Sequence, residues 1–457
     1  MSKKNIRVFV VGSGDIGTSI ATQLSKDGCE VTVIDRESEV LDNLVNSVDA
    51  IGYKGNGASY NTLCELNAKD ADVLISVTDS DEINILSCFT AHSIGTKHTI
   101  ARIRDVDYAD QNSFYKKKLG ISMIINPDLA SANEIFRTLR FPLATRIEVF
   151  AGGRAELVEL VVKEDSPLIG HSLIELNRMG FMLLVCAMVH ENEAFVPKGD
   201  TVVSEGDVLY ITGDAGVFKQ SFKNLKMPIK PLKSVMLAGN DRITYYLAQL
   251  LSKHGVKVTI VDYEKTVCDR FASTLPQAAV MCEDSLKYLD QMTDSDIANT
   301  DAFVAITNND EYNLIAAMYA KSKGINKIIT KIRAKSRTKV LPSETDISII
   351  SREDVAADRI LGYTRALINA EDNDAVESLY RLMDGKLEFI EFNVLENTKN
   401  LNIPLKELTF KRNVLIAGII RNSHMIIPRG DDVISAQDVV LVVAIGHQIA
   451  SIEDIYE

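Results

Sequence analysis

Residues 6–35 read IRVFVVGSGDIGTSIATQLSKDGCEVTVID: an apolar run, three spaced glycines, an amphipathic stretch, and a second apolar run closing on Asp35. Few folds accept that order. It specifies strand, tight turn, helix and parallel strand, with an acidic residue about twenty positions beyond the glycines. Gly12 permits the turn, Gly14 lets a pyrophosphate approach the backbone, and Gly17 lets the helix close on the sheet. The turn residues Gly12, Ser13, Gly14, Asp15, Ile16 and Gly17 are therefore expected contacts of a phosphate lying on a helix N-terminus, where unpaired N–H groups and the dipole favour negative charge.

Short apolar runs alternate with helix-compatible segments as far as Ile125, which predicts a parallel, doubly wound α/β sheet covered on both faces. Functional groups of such sheets collect at the C-terminal ends of strands, beside the switch point. Asp35 ends the second strand, where a carboxylate accepts hydrogen bonds from ribose hydroxyls and repels a 2′-phosphate, favouring NAD(H) over NADP. Arg36 beside it accommodates a phosphate or stacks on adenine. Gly55, Asn56 and Gly57 follow the third strand, as a close approach to base or ribose or as a plain turn. Thr78, Asp79 and Asp81 follow the fourth, with Thr78 and Asp79 able to meet the middle of a ligand. Asp79 or Asp81 equally serves as a cap for the next helix. Arg102 and Arg104 flank Ile103 and can face one side of the fifth strand, as phosphate ligands or as partners across an interface.

An amphipathic helix is expected over 127–140, with Leu129, Ile135, Phe136 and Leu139 as a stripe that needs a partner, in a crossover or a dimer. Residues 145–220 carry short strands between Gly/Pro/Asp turns, a small β-rich α+β domain. After a linker containing Pro228 and Pro231 the first pattern restarts. Residues 235–262 match residues 8–35 at an offset of 227, TNNDEYNL from Thr307 repeats TDSDEINI from Thr78 at 229, and Lys331 and Arg333 repeat the arginine pair. Pro428 to Asp431 and Gln437-Asp438 repeat the turns at Pro197 to Asp200 and Gly206-Asp207. The chain is thus a duplication: Rossmann-like domains over 1–140 (with the crossover helix) and 232–370, and small domains over 141–225 and 371–457. The second turn is altered. Asp241 stands for Gly14 and Thr244 for Gly17, bringing negative charge toward the phosphate position, with Arg242 as the neighbour able to neutralise it.

At 457 residues the chain exceeds a single core, and its 46% hydrophobic and 25% charged residues are those of a folded protein. A net charge of -13 speaks against nucleic acid as a partner. Six scattered cysteines without a CxxC suit a reducing cytoplasm, and no apolar run is long enough for a membrane span or a leader. His171 and His190 of the first small domain are not spaced as metal ligands, none of the seven histidines lies where it would stand over the fourth strand, and no metal site is expected.

The GSGDIG turn, the VTVID strand, Gly55-Asn56-Gly57, DSDEIN at Asp79 to Asn84, the Arg102/Arg104 pair and the PKGD-plus-GD pattern together resemble one family over essentially the whole chain. That family is the cytoplasmic regulatory subunits of the Trk potassium-uptake system, built from two tandem regulator-of-potassium-conductance modules. The resemblance implies NAD(H) or ATP/ADP binding through Gly12, Gly14, Gly17, Asp35, Thr78 and Asp79, with Arg102 on phosphates. It implies a homotetrameric ring and a membrane-embedded potassium transporter as partner at the inner face of the cell membrane. No acid–base pair forms a recognisable constellation, and one phosphate turn of the duplicated sheet is altered, which points to a ligand that biases conformation rather than to catalysis. Two alternatives stand beside it: an NAD-dependent oxidoreductase, with Asp79 and Lys97 as acid–base candidates, and a nucleotide-sensing scaffold without a transporter.

Overall fold

The computed structural model describes residues 6–105, 112–140, 146–150, 154–213, 215–227, 232–333, 347–370, 376–382, 386–447, 449 and 451–457. The opening apolar runs form the strands the glycine spacing requires: β1 (Arg7–Val11), β2 (Glu30–Asp35), β3 (Ile51–Lys54), β4 (Val73–Ser76), β5 (His98–Arg102) and β6 (Met123–Ile125). They pair in parallel in the order β3-β2-β1-β4-β5-β6. β1 is continued on one side by β2 and on the other by β4, so the strand order reverses there and a crevice opens above their C-terminal ends. The helices Asp15–Lys26, Ser38–Val45, Tyr60–Glu65, Asp81–Ile94 and Asn112–Leu119 connect the strands.

The next five strands are β7 (Arg146–Phe150), β8 (Ala155–Val161), β9 (Leu184–His190), β10 (Glu193–Phe195) and β11 (Val208–Gly213), an antiparallel sheet ordered β10-β9-β11-β8-β7. In the apolar run from Phe181 to Val189 the strand begins only at Leu184. Gly180 adopts φ +96° after the Leu173–Arg178 helix, and the Phe181 N–H returns to the Leu176 carbonyl at 3.0 Å. The first residues of that apolar run therefore close a helix before the chain extends.

The second half repeats both sheets. β12 (Ser234–Ala238), β13 (Lys257–Asp262), β14 (Ala279–Cys282), β15 (Ala302–Ala305), β16 (Lys327–Lys331) and β17 (Ile347–Ile350) are parallel in the order β14-β13-β12-β15-β16-β17. β18 (Val376–Leu382), β19 (Leu387–Asn393), β20 (Val414–Arg421), β21 (His424–Ile426) and β22 (Val439–Ile445) are antiparallel in the order β18-β19-β22-β20-β21. Strand for strand, each repeat has the topology of its counterpart.

Like packs with like. One compact unit comprises residues 1–139 and 232–361, hence both parallel sheets; the other comprises 140–231 and 362–457, hence both antiparallel sheets. In the first unit the Pro127–Arg140 helix buries Ala132, Ile135, Phe136 and Leu139 in one cluster with Val235, Leu247, Leu251 and Ile260 of the second sheet domain. The partner that this stripe requires is the chain's own second half. Leu129, expected in the stripe, stays 36% exposed, and Ala132 completes the i, i+3, i+4, i+7 face. In the second unit the two small domains share a core in which Phe150, Leu157 and Tyr210 meet Phe389, Ala417 and Leu441.

Each small domain is latched by a buried aspartate. Asp207 accepts from the Ser204 N–H at 2.8 Å and lies 2.6 Å from His190 Nδ1; Asp438 accepts from the Ser435 N–H at 2.8 Å and holds Arg421 in a fork at 2.7 and 2.8 Å. The hydrogen bond to Asp207 raises the His190 pKa above its ordinary 6.5. A raised folded-state pKa makes the ionic part of the first latch fully present below the unfolded value and lost as pH climbs through the folded one. The melting temperature is expected to fall between about pH 6 and pH 8 through this residue. In the His190→Arg variant, which copies the second latch, that slope is expected to flatten; scanning calorimetry across the range checks it, and an unchanged slope would assign the dependence elsewhere.

Candidate functional site

A cleft of about 560 Å³ lies over the first sheet at the β1/β4 reversal, within the volume range of small-molecule sites. Gly12 turns at φ +105° and returns its N–H to the Ile34 carbonyl at 2.9 Å, and a Cβ there would press on the Thr78 backbone at 3.1 Å. Gly14 is the N-cap of the Asp15–Lys26 helix, has no side chain to cap it, and has no atom within 4 Å of where a Cβ would stand. The helix N-terminus is thus left open toward the cleft. The residues expected to contact ligand line this cleft except Gly17, which lies behind the turn, and Arg104, offered with Arg102 as a phosphate ligand. A Cβ on Gly17 would fall 1.9 Å from the Gly12 carbonyl oxygen. Gly17→Ala is expected to displace the turn, costing about 1–3 kcal/mol as overpacking does; a thermal melt equal to the parent's would contradict the contact.

Asp35 is already partly engaged. Its Oδ2 accepts from the Ser13 N–H at 2.6 Å and the Ser13 hydroxyl at 2.7 Å, and its Oδ1 from the Glu37 N–H at 3.0 Å. Burial works against its charge, but the donors from Glu37, Ser13 and Arg36 outweigh it and hold the carboxyl below its ordinary value. Asp35 therefore fastens the glycine turn to β2 as a charged acceptor, with lone pairs left for further donors. Asn56 closes an Asx turn by accepting from the Ala58 N–H at 3.2 Å. Gly55 and Gly57 line the cleft and are also required by their own neighbours. A Cβ on Gly57 would strike Val11 at 2.2 Å, and one on Gly55 would strike Tyr53 at 2.8 Å.

On the far wall, Asn84 ties two strand ends together. Its Oδ1 accepts from the Thr78 N–H and hydroxyl, both at 2.8 Å, and its amide donates to the Thr78 and Arg102 carbonyls at 3.0 and 2.9 Å. Arg102, only 8% exposed, donates to the Asp79 carboxylate at 2.9 Å and the Thr78 carbonyl at 2.5 Å, and Arg104 donates to the Asp79 carbonyl at 2.7 Å. The hydrogen bond from Arg102 lowers the Asp79 pKa, against some desolvation. Neither Asp79 nor Asp81 caps the following helix. Ser80 does, accepting from the Ile83 N–H at 3.2 Å, while Asp81 accepts from the Arg104 and Asp105 N–H groups at 2.8 Å each. Lys97, weighed as an acid–base group, pairs with Asp72 at 2.7 Å, where β4 and β5 begin, at the opposite edge of the sheet. Asn84 was legible in principle: Asn313 repeats it at the 229 offset and makes the same bonds to Thr307 and to the Lys331 carbonyl.

The second half closes the corresponding place from within. Asp241 stands as N-cap of the Arg242–Lys253 helix, accepting from the Arg242 N–H at 2.7 Å, and its other oxygen pairs with Lys331. Lys331 is 3% exposed. The expected neutralising partner, Arg242, turns instead toward Asp105 at 3.9 Å. The reason is geometric: a capping aspartate points its carboxylate along its own helix N-terminus, toward the end of β16 where Lys331 stands, not back at the next side chain. Asn308, at Asp79's place, lies 3.4 Å from the Lys331 ammonium. The acidic partner of the strand-end cation has thus moved from the β4 loop in the first half to the glycine turn in the second. Thr244 adapts to Gly17's place by donating its hydroxyl to the Gly239 carbonyl at 3.0 Å, and Asp284, at Gly57's place, caps the next helix and accepts from the Tyr312 hydroxyl at 2.9 Å.

Two residues of the cleft had no signal in the sequence: Arg352 and Glu353, from the first turn of the Arg352–Ala370 helix of the second half. The Arg352 guanidinium lies 3.0 Å from Glu353 and 3.4 Å from Asp128.

Two family models match the chain, each of them twice. The TrkA-N domain covers residues 8–127 and 235–351, and the TrkA-C domain covers 157–226 and 389–456. The Trk system potassium uptake protein TrkA homolog 2 of Methanosarcina mazei is 26% identical, over 99% of this chain and 100% of its own length. TrkA of Halomonas elongata is also 26% identical, over 99% of both chains. In fold, the chain is similar to the GsuK RCK domain (15% identity, TM-score 0.60, 97% of this chain and 93% of that one). It is likewise similar to the GsuK channel bound to NAD (16% identity, TM-score 0.61, 97% and 78%). The chain belongs to the TrkA family of potassium-uptake regulatory subunits and carries the TrkA-N and TrkA-C pair twice in tandem.

Proposed function

We propose that this chain is the nucleotide-responsive regulatory subunit of a membrane potassium transporter, with one ligand, NAD(H) or ATP/ADP, in the first-half cleft. One observation carries the reading: the glycine turn of the first half leaves a helix N-terminus open beside a strand-end arginine, while the second half fills the same place with its own carboxylate and ammonium. A helix N-terminus without a side-chain cap on one side and an internal ion pair on the other make the two halves unequal as ligand sites. The GsuK channel bound to NAD supports a dinucleotide as one candidate, and the names of the curated relatives support potassium uptake as the process. The assembly is a homo-oligomer, a tetrameric ring docked from the cytoplasm on the inner face of the membrane through its partner; among the described residues no helix is long and apolar enough to cross the membrane itself. Leu86 and Phe89 on the Asp81–Ile94 helix are 48% and 42% exposed, and Ile315 and Met318 repeat them on the Asp310–Ser322 helix at 56% and 44%. Apolar pairs repeated on both halves suit contacts between copies. Regulation rather than turnover follows from commitment of the polar groups: Asp79 is held ionised by Arg102, and Lys97 is tied to Asp72 away from the cleft.

Titration calorimetry with NADH, ADP and ATP is expected to give one site per chain, and reconstitution with the transporter is expected to make potassium flux depend on that ligand. A stoichiometry of two, no binding, or consumption of NADH with a small substrate would overturn the reading.

A further inference from the structure

We propose that Arg352 is the group through which the first-half cleft reads the phosphate charge of its ligand, and that Asp128 competes with the ligand for it. The inference rests on the nucleotide reading above and extends it to a residue from the other half of the chain. Arg352 and Glu353 line the same cleft as the glycine turn, Asp35 and Asp79, with the Arg352 charge near enough to Asp79 to help lower its pKa. The guanidinium is 26% exposed. It contacts Glu353 Oε1 from Nε at 3.2 Å and from Nη2 at 3.0 Å, and Asp128 Oδ1 from Nη1 at 3.4 Å. A guanidinium has five N–H donors, so this one keeps donors for a ligand, and its contact with Asp128 is too long to be a strong bond.

The surroundings make that contact exchangeable. Asp128 is buried, with its side chain only 2% exposed, on the crossover helix that joins the halves. Burial and then the neighbouring charge of Asp241 push its pKa up, so its carboxylate is a poorly stabilised partner. Two further polar atoms of cleft-lining residues lack partners among the described residues: Glu353 Oε2 and Arg102 Nε. The cleft therefore has two arginines, one from each half, whose hydrogen bonding is incomplete. Phosphate accepts charge-assisted bonds from a guanidinium fork more strongly than a distant, desolvated carboxylate does. A diphosphate drawing Arg352 toward the turn would leave Asp128 facing Asp241 without its cation. Ligand charge is thereby converted into a changed interaction between the two halves, as allosteric coupling requires.

Titration calorimetry of the full chain with ADP and with adenosine separates this role from a structural one. Arg352→Gln is expected to weaken ADP by about tenfold or more while leaving adenosine within about twofold, since a charge-assisted contact to phosphate is lost and none to the nucleoside. Asp128→Asn is expected to strengthen ADP several-fold without touching adenosine, because it frees the guanidinium; this variant keeps the test decisive should Arg352→Gln fold poorly. An ADP-to-adenosine affinity ratio equal to the parent's in both variants would overturn the proposal and leave the nucleotide reading standing. A parent chain that binds neither ADP nor NADH would overturn both.

Discussion

Gly14→Asp is expected to fold as well as the parent and to lose nucleotide affinity by about a hundredfold or more, roughly 2.7 kcal/mol. The backbone allows the change. Gly14 has φ -66° and ψ -174°, an extended conformation open to any residue, and nothing stands within 4 Å of its Cβ position. The helix gains from it, because the Asp15–Lys26 helix has no side-chain cap and an aspartate at N-cap contributes about 0.5–2 kcal/mol. What the new carboxylate removes is the site: it satisfies the N–H groups that a phosphate would use and brings like charge to where the phosphate would lie. The second half shows that the fold accepts an aspartate here, with Asp241 capping its helix and pairing with Lys331. Titration calorimetry with NADH and ADP, paired with a thermal melt, checks both halves of the statement. Affinity within about threefold of the parent's would remove the glycine turn from the site, and lost binding with a lowered melting temperature would point to misfolding instead. Gly14→Ala, which adds volume without charge, is expected to fall between parent and aspartate variant.

The reach of the sequence was set by range along the chain. Parallel sheets, their switch point and the duplication are written in local signals: alternating apolar runs, three glycines, and a near-constant offset between halves. The cleft followed, because strand C-terminal ends collect at one edge of such a sheet whatever else the chain does. Residue pairings did not follow, since they depend on segments far apart. Asp241 meets Lys331 across 90 positions and Asp128 meets Arg352 across 224. Nearest-neighbour reasoning therefore gave Asp241 the wrong cation, Arg242. It also offered the aspartates of the Thr78–Asp81 loop as helix caps, where Arg102 and the N–H groups of Arg104 and Asp105 had a stronger claim and Ser80 was free to cap. The Gly57 role was obscured differently: the atom it avoids belongs to Val11, on a strand two places away in the sheet.

Asp241→Gly is the converse substitution, and its expected effect is on stability. Among the described residues, removing that carboxylate leaves the Lys331 ammonium, 3% exposed, with the Asn308 amide oxygen at 3.4 Å as its remaining hydrogen-bond partner. A buried charge stripped of its partner costs about 3–5 kcal/mol, and the lost N-cap adds about 1 kcal/mol more. The first half indicates how to recover it. There the strand-end cation Arg102 is satisfied by Asp79 and not by the turn, and Asn308 occupies Asp79's place in the repeat. The double variant Asp241→Gly/Asn308→Asp therefore transfers the acid from the turn to the β15 loop and is expected to regain most of the lost stability. Urea or thermal unfolding of the parent, both single variants and the double one forms a cycle in which the two changes are strongly non-additive. Recovery identifies the pair as a relocated charge rather than a fixed strut, and it leaves an uncapped helix N-terminus beside a paired cation, the arrangement of the first half. Thr244 then remains as the chief obstacle in the turn. A single variant that melts with the parent, or a double variant no more stable than the single, would mean that Lys331 is held by something other than Asp241.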